Sequence, residues 1–271
     1  MRTRAKTATD RRRLSVGAAL LTLGVLGCSQ HPSGSLVIQL AARHPDGDAS
    51  GGPAQILAAG DSVVVALGRD TLILRHAELV VRQMEIAAFA AGDCEPTPDE
   101  AHEACPVLEG GPIRMTLPLG TAAESIFTAS APADSYSLIQ FQIQAPDSAK
   151  DAKFLSAHPD LAHTSIRVRG TYSRSGDRKD FVYTSDFGER QELALLRPVS
   201  LPASGTARLT IGVDLARWFL SADKTALLDP TTANWGQPND QLVRDNIRTS
   251  LEAFRDDNRD GLSDGSPPAA P

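Results

Sequence analysis

The feature that most constrains this chain is a two-residue alternation of apolar and polar side chains that recurs along it. In residues 135–144 (SYSLIQFQIQ), Ile139, Phe141 and Ile143 fall on one side, and Gln140, Gln142 and Gln144 on the other. Successive side chains of a strand point to opposite faces, so this segment reads as a strand of a sheet with one wetted face. The pattern returns with Ile166 and Val168 set against Arg167 and Arg169, in residues 181–184 (FVYT), and in Leu209, Ile211 and Val213. Turn-forming stretches at 145–148, 173–177 and 202–205 separate these runs. The sequence shows neither the strand–helix alternation of a parallel sheet nor a glycine-rich phosphate loop. The expected fold is mainly β, an antiparallel β-sandwich of immunoglobulin-like or similar type, over residues 36–238.

Other segments fill in this picture. LVIQL (36–40), Val63–Val65 and the alternating Ile113, Met115 and Leu117 are expected strands. The long apolar stretch 71–89 reads as two strands joined near Arg75 and His76, with a helix over 78–89 as the competing reading. Residues 214–219 suit one helical turn. In 241–254, Val243, Ile247, Leu251 and Phe254 are spaced by four, four and three, which describes one face of an amphipathic helix. Asn239 or Asp240 is placed to cap it.

The first 28 residues concern location. Arg2, Arg4, Lys6, Arg11, Arg12 and Arg13 precede an apolar run, Leu14 to Leu26, that ends in Gly27-Cys28. A charged start, a short apolar core and a small residue mark an export signal, and about 13 apolar residues fall short of the roughly 20 needed to span a bilayer. The segment resembles the lipobox leader of bacterial lipoproteins. That resemblance implies cleavage after residue 27, lipid on Cys28 and a tether over 28–35. Ser29, where an Asp would signal retention, favours the outer membrane by the same analogy. Arg11-Arg12-Arg13-Leu14 also resembles a twin-arginine signal, so the export route stays open between the two systems.

The leader holds 6 of the 27 basic residues and 1 of the 33 acidic ones. The remainder therefore carries 21 positive and 32 negative charges, a net of −11. Such an acidic exported chain points away from nucleic acid and toward divalent cations. Outside the cytoplasm Cys94 and Cys105 are expected to pair, closing a loop worth about 2–3 kcal/mol. A metal site of Cys94, His102 and Cys105, with Asp93 and Glu103 nearby, is the alternative. His158, Asp160 and His163 form a second, weaker metal candidate beside the reading of a surface loop. His76, Met84 and Met115 resemble copper-ligand residue types, although their apolar neighbours suit sheet or core positions.

The clearest chemical motif is DDNRDGLSDG (256–265), directly after the expected helix. Asp256, Asn258 and Asp260 are spaced by two, Gly261 permits a sharp turn, and Asp264 follows. Oxygens at alternate positions of a tight loop suit calcium, a hard cation that takes six to eight of them. The run resembles an EF-hand loop and, more closely, a single thrombospondin type 3 repeat. The resemblance implies side-chain ligands at Asp256, Asn258, Asp260 and Asp264, and the carbonyl of Leu262 is the natural next ligand. The twelfth loop position is Pro267 where an EF-hand has Glu, so the expected affinity is weak, roughly millimolar. A solvated acidic tail that stops the helix is the competing reading.

These features divide the chain into a leader (1–27), a tether (28–35), a β domain (36–238), a helix with its calcium-type loop (239–264) and a disordered tail (265–271). No nucleophile elbow or comparable catalytic signature is present. The expected role is non-enzymatic: a lipid-anchored envelope protein that binds a ligand or partner, an envelope protein or glycan. A periplasmic copper- or zinc-handling protein is the first alternative. The second is a hydrolase of envelope polymers, which would need two carboxylates about 5–10 Å apart in a cleft.

Overall fold

Two irregularities in one long strand organise the structure, a computed structural model that describes residues 32–42, 54–58, 61–88, 107–120 and 122–264. The leader, Cys28, most of the tether, Cys94, Cys105, His102 and the tail 265–271 lie outside the described residues. Among those described, no helix is long and apolar enough to cross a membrane.

The chain is mainly β. Its strands are β1 (Ser33–Ala42), β2 (Ala54–Ala58), β3 (Val63–Leu67), β4 (Asp70–Ala88), β5 (Val107–Glu109), β6 (Ile113–Thr116), β7 (Glu124–Pro132), β8 (Ser135–Ile143), β9 (Ile166–Arg174), β10 (Asp177–Ser185), β11 (Glu189–Ser200), β12 (Thr206–Val213) and β13 (Leu251–Phe254). Three α-helices intervene: α1 (Ala152–Ala157), α2 (Leu215–Trp218) and α3 (Asp240–Arg248). The sheet is curled and open, ordered β10-β9-β4-β8-β11-β13-β12-β1-β7, and β3, β5 and β6 also pair with β4. Most ladders are antiparallel, as expected. Two are parallel: β1 with β12, and the single pairing of Leu195 with Ala253 that links β11 to β13. One contiguous hydrophobic core, with Trp218, Phe141 and Phe219 among its largest side chains, lies against the sheet.

Residues 71–88 form one strand, neither two strands nor a helix. In β4 the core-facing residues are Leu72 and Leu74, then Ala77, Leu79 and Val81, then Met84 and Ile86. Within each group the period is two, and between groups it slips by one residue. The slips coincide with ladder shifts, between Leu74 and His76 against β9 and between Arg82 and Glu85 against β8. A β-bulge inserts an unpaired residue and changes which face the following side chains take. Leu74, Ala77, Val81 and Met84 consequently fall three, four and three apart, a helix-like spacing on a strand.

The C-terminal helix is shorter than its apolar spacing indicates. Val243 and Ile247 are buried on α3 as expected, but the helix ends at Arg248 and Leu251–Phe254 form β13, between β11 and β12. Two hydroxyls terminate it. Thr249 Oγ1 donates to Asp245 O at 3.1 Å and Ser250 Oγ to Ile247 O at 2.7 Å. Buried Trp218 donates its Nε1 to the same Ser250 oxygen at 2.7 Å, which pins the exit of α3 to α2. Residues 251–254 are therefore part of the sheet and not of an appended unit. Neither expected cap acts on α3: Asn239 Nδ2 donates to Thr232 Oγ1, and Asp240 Oδ2 accepts from Gly236 N.

Candidate functional site

A cleft of about 450 Å³ opens beside β5 and β6, two consecutive short strands that both run antiparallel along β4. Glu109, Pro112, Ile113 and Arg114 line it from the β5–β6 segment, Ile126 and Phe127 from β7, and Phe154 and His158 from α1 and its C-terminus. β7 ends the sheet order, and β5 and β6 pair only with β4 among the described residues, so the cleft sits beside strand edges. Glu109 Oε1 accepts the Gly111 N–H at 3.0 Å, which closes the tight turn. The Phe154 and His158 rings meet at 4.9 Å, tilted by 58°. The walls are thus largely apolar, and Arg114 brings a fixed positive charge.

That guanidinium has a buried carboxylate as ion-pair partner. Arg114 Nε lies 3.7 Å from Glu78 Oε2, and the Glu78 side chain is only 1% exposed. Glu78 pairs across the strands with Arg167, whose Nε and Nη2 both reach Glu78 Oε1. Arg167 also binds Asp160 Oδ2 and donates to the Asp160 carbonyl at 3.2 Å. His76 Nε2 stands 3.4 Å from Glu78 Oε2. Burial works against the charge of Arg167, but its bonds to Asp160 and Glu78 outweigh that and hold its pKa above the usual value. The same Arg167 hydrogen bond holds the Asp160 carboxyl below the usual carboxylate range. The alternation in β9 assigns Arg167 to the polar face, yet it is buried, and the segment after α1 meets it there through the Asp160 carbonyl and carboxylate.

The acidic C-terminal loop is well formed. Asp256 is fully buried, and its carboxylate accepts the backbone N–H groups of Asp260 (3.2 Å) and Gly261 (3.0 Å). Asn258 Oδ1 accepts from Asp260 N, and Asn258 Nδ2 donates to Asp260 Oδ2 at 2.8 Å. Asp260 Oδ1 accepts from Leu262 N at 2.8 Å, and Asp264 Oδ2 accepts from Asp257 N at 2.9 Å. Gly261 takes φ 79°, the left-handed turn expected of it. Desolvation pushes the Asp256 carboxyl up, and the charge of Asp260 adds to the shift against the backbone donors. The structure thus brings Asp256, Asn258, Asp260, Leu262 and Asp264 into one loop, where the carboxylates accept backbone N–H groups. Among the described residues, no three His, Cys, Asp or Glu side chains are gathered as a metal-holding group.

The other candidates separate. Asp160 is engaged by Arg167 and is not shared between His158 and His163. Met84 and Met115 are core residues. The sequence places Arg167 on the polar face of its strand but assigns no role to it, to Glu78 or to Arg114. The one available signal was a Glu and an Arg at otherwise apolar strands, and it names no partner across 89 residues.

Together the fold and the cleft define a mainly β protein with a recessed, partly apolar site beside its strand edges. No family model and no curated protein matches the chain. Among solved structures it is similar to MbnP from Methylosinus trichosporium, at 14% identity over 78% of this chain and 86% of that one, with a TM-score of 0.37. A likeness at that level assigns no role to any residue of this chain.

Proposed function

We propose that the chain is a non-enzymatic, lipid-anchored envelope protein, a β-sandwich that binds a ligand with an apolar body and an anionic head in the cleft at Arg114. The carrying observation is the combination of Ile113, Ile126, Phe127 and Phe154 with a guanidinium that has buried Glu78 as its ion-pair partner. An apolar pocket with a few oriented polar groups is the usual form of a small-molecule site. Glu78 Oε2 lies 3.7 Å from Arg114 Nε, an ion pair beyond hydrogen-bond range, and the guanidinium fork is of the kind that meets a carboxylate or sulfonate.

The test uses 8-anilinonaphthalene-1-sulfonate and a medium-chain fatty acid with the soluble chain after Cys28. Saturable binding is expected, weakened about tenfold by Arg114→Gln, the loss of one charge-assisted contact. Absence of saturable binding, or an affinity unchanged in Arg114→Gln, overturns the reading. The anchor at Cys28, outer-membrane placement and the Cys94–Cys105 bridge belong to the same proposal. Mass spectrometry of the native protein should find acyl groups on Cys28 and a Cys94–Cys105 cross-link. An intact, unmodified Met1 would refute the exported state.

A second reading, calcium at the C-terminal loop, rests on Asp256. Its buried carboxylate accepts the backbone N–H groups of Asp260 and Gly261 and has a further negative neighbour in Asp260. A divalent cation is the natural counter-charge, with Asp256, Asn258, Asp260 and Asp264 as side-chain ligands. When bound it would supply charge neutralisation and stiffen the exit of β13. Calorimetric titration should show weak calcium binding that Asp260→Ala abolishes. Equal heats for the wild type and that variant would remove the calcium reading.

A further inference from the structure

The second bulge of β4 opens a recess on the outer face of the sheet that shares no lining residue with the Arg114 cleft. Cross-strand register sets two rows there: Glu85, Gln140 and Glu192, and beside it Arg82, Gln142 and Arg190. The rows are two residues apart along the strands, about 7 Å. Between Arg82 and Glu85 the ladder skips Gln83, which takes φ 50°, and Met84 turns into the core. The recess measures about 190 Å³ and is lined by Gln83, Glu85, Gln140, Phe141, Gln142 and Arg190.

Its floor is already oriented. Gln140 is 2% exposed, and its Oε1 accepts from Arg190 Nη2 at 2.6 Å. Arg190 Nε lies 3.1 Å from Glu192 Oε1 as an ion pair. With its oxygen committed, the Gln140 amide has a fixed orientation, and its Nε2 is buried without a hydrogen-bond partner. A buried donor left unpaired is costly, and native structures rarely keep one without a reason. An acceptor entering the recess would satisfy it beside the positive charge of Arg190. Glu85 and the amide oxygens of Gln83 and Gln142 stand ready for donors.

We infer that this recess binds a small α-amino acid zwitterion, its carboxylate on Gln140 Nε2 and Arg190 and its ammonium on Glu85. Opposite charges within one recess match a ligand that carries both, and the volume suits a side chain no larger than a few atoms. A sugar ring is the poorer fit, because the one aromatic residue in the lining, Phe141, is itself a core side chain and offers no stacking face.

The experiment is a calorimetric titration of the soluble chain with glycine, alanine, N-acetylalanine, alanine amide and glucose. Glycine and alanine should bind saturably. N-acetylalanine, which lacks the ammonium, and alanine amide, which lacks the carboxylate, should bind at least about tenfold more weakly, and glucose not at all. Gln140→Leu should weaken alanine binding by about the same factor, and Glu85→Gln should erase the preference for alanine over N-acetylalanine. The ligand panel on the wild-type chain decides the matter even if a variant does not fold. Failure of both free amino acids to bind, equal binding of the blocked forms, or binding of glucose in their place overturns the inference. Such a result leaves the Arg114 cleft untouched, since its probes and its variant are different.

Discussion

Breaking the buried pair of Glu78 and Arg167 should reveal how much of the stability rests on one cross-strand contact. The two side chains are 1% and 7% exposed, and Arg167 places two nitrogens on a single Glu78 oxygen. Removing one member of such a pair typically costs about 3–5 kcal/mol, because the other charge is left in a site with little water. In Glu78→Gln, Arg167 retains Asp160, which is half exposed and so returns no more than about 1 kcal/mol. The expected loss is therefore about 2–4 kcal/mol. In Arg167→Met, Glu78 keeps only the longer contacts to His76 and Arg114, and the full 3–5 kcal/mol or so is expected. Replacing both residues, Glu78→Gln with Arg167→Met, should return to within about 3 kcal/mol of the wild type, since no unpaired charge is left buried and only an amide remains to be satisfied. Urea unfolding followed by circular dichroism would measure all four proteins, with a constant m-value as the check on comparability. Single losses that simply add in the double variant, with coupling below about 0.5 kcal/mol, would refute the reasoning.

Burial pushes the Tyr136 and Tyr183 hydroxyls up to about 12 from 10.0, and raises Tyr172 as well. A raised folded pKa gives stability that is complete below about pH 10 and is lost as pH climbs toward 12. Absorbance at alkaline pH should therefore show phenolate only as the fold melts, and ordinary titration near 10 would contradict this. Gly170→Ala would place a Cβ 2.0 Å from the Ile73 carbonyl oxygen at the first bulge of β4. A loss of at least about 3 kcal/mol is expected, and an unchanged melting temperature would count against the β4–β9 register. Trp218 is fully buried and Trp235 is 74% exposed. Trp235→Phe should therefore leave a blue-shifted emission that acrylamide barely quenches; persistent quenching would contradict the placement of Trp218.

Strands were legible where the alternation ran unbroken. In β8, Ile139, Phe141 and Ile143 face the core as their spacing indicates, and the glutamines between them take the other face. One of these, Gln140, is nonetheless buried, because alternation reports which face a residue takes and not what covers that face. The C-terminal segment shows the opposite failure. Val243, Ile247, Leu251 and Phe254 fit one helical face, yet apolar residues at such spacing fit a helix followed by a strand equally well. The deciding contacts, Trp218 to Ser250 and the slot between β11 and β12, are long-range. The loop at Asp256 was readable because all its parts lie within nine residues. Glu78 and Arg167 meet only after the sheet has formed, so no local pattern could pair them.

The same irregularities that obscured β4 account for its polar features. Had the period of Leu72 and Leu74 continued unbroken, His76 and Glu78 would have pointed into the core. The extra residue at Arg75 moves Ala77 and Leu79 inward and turns Glu78 to the opposite face, where Arg167 stands across from it. From Val81 the continued period would have driven Gln83 and Glu85 inward. The second bulge brings Met84 and Ile86 to the core and carries Glu85 to the outer face, beside Gln140. Each bulge thus keeps a carboxylate out of an apolar interior and sets it beside a polar partner on the next strand. A regular strand could not do both with this sequence, because an ionised side chain in the core costs far more than one unpaired position in a ladder. The broken alternation is therefore the sequence record of two charged positions that the sheet had to accommodate. The cleft backed by Glu78 and the recess rimmed by Glu85 both lie where those accommodations were made.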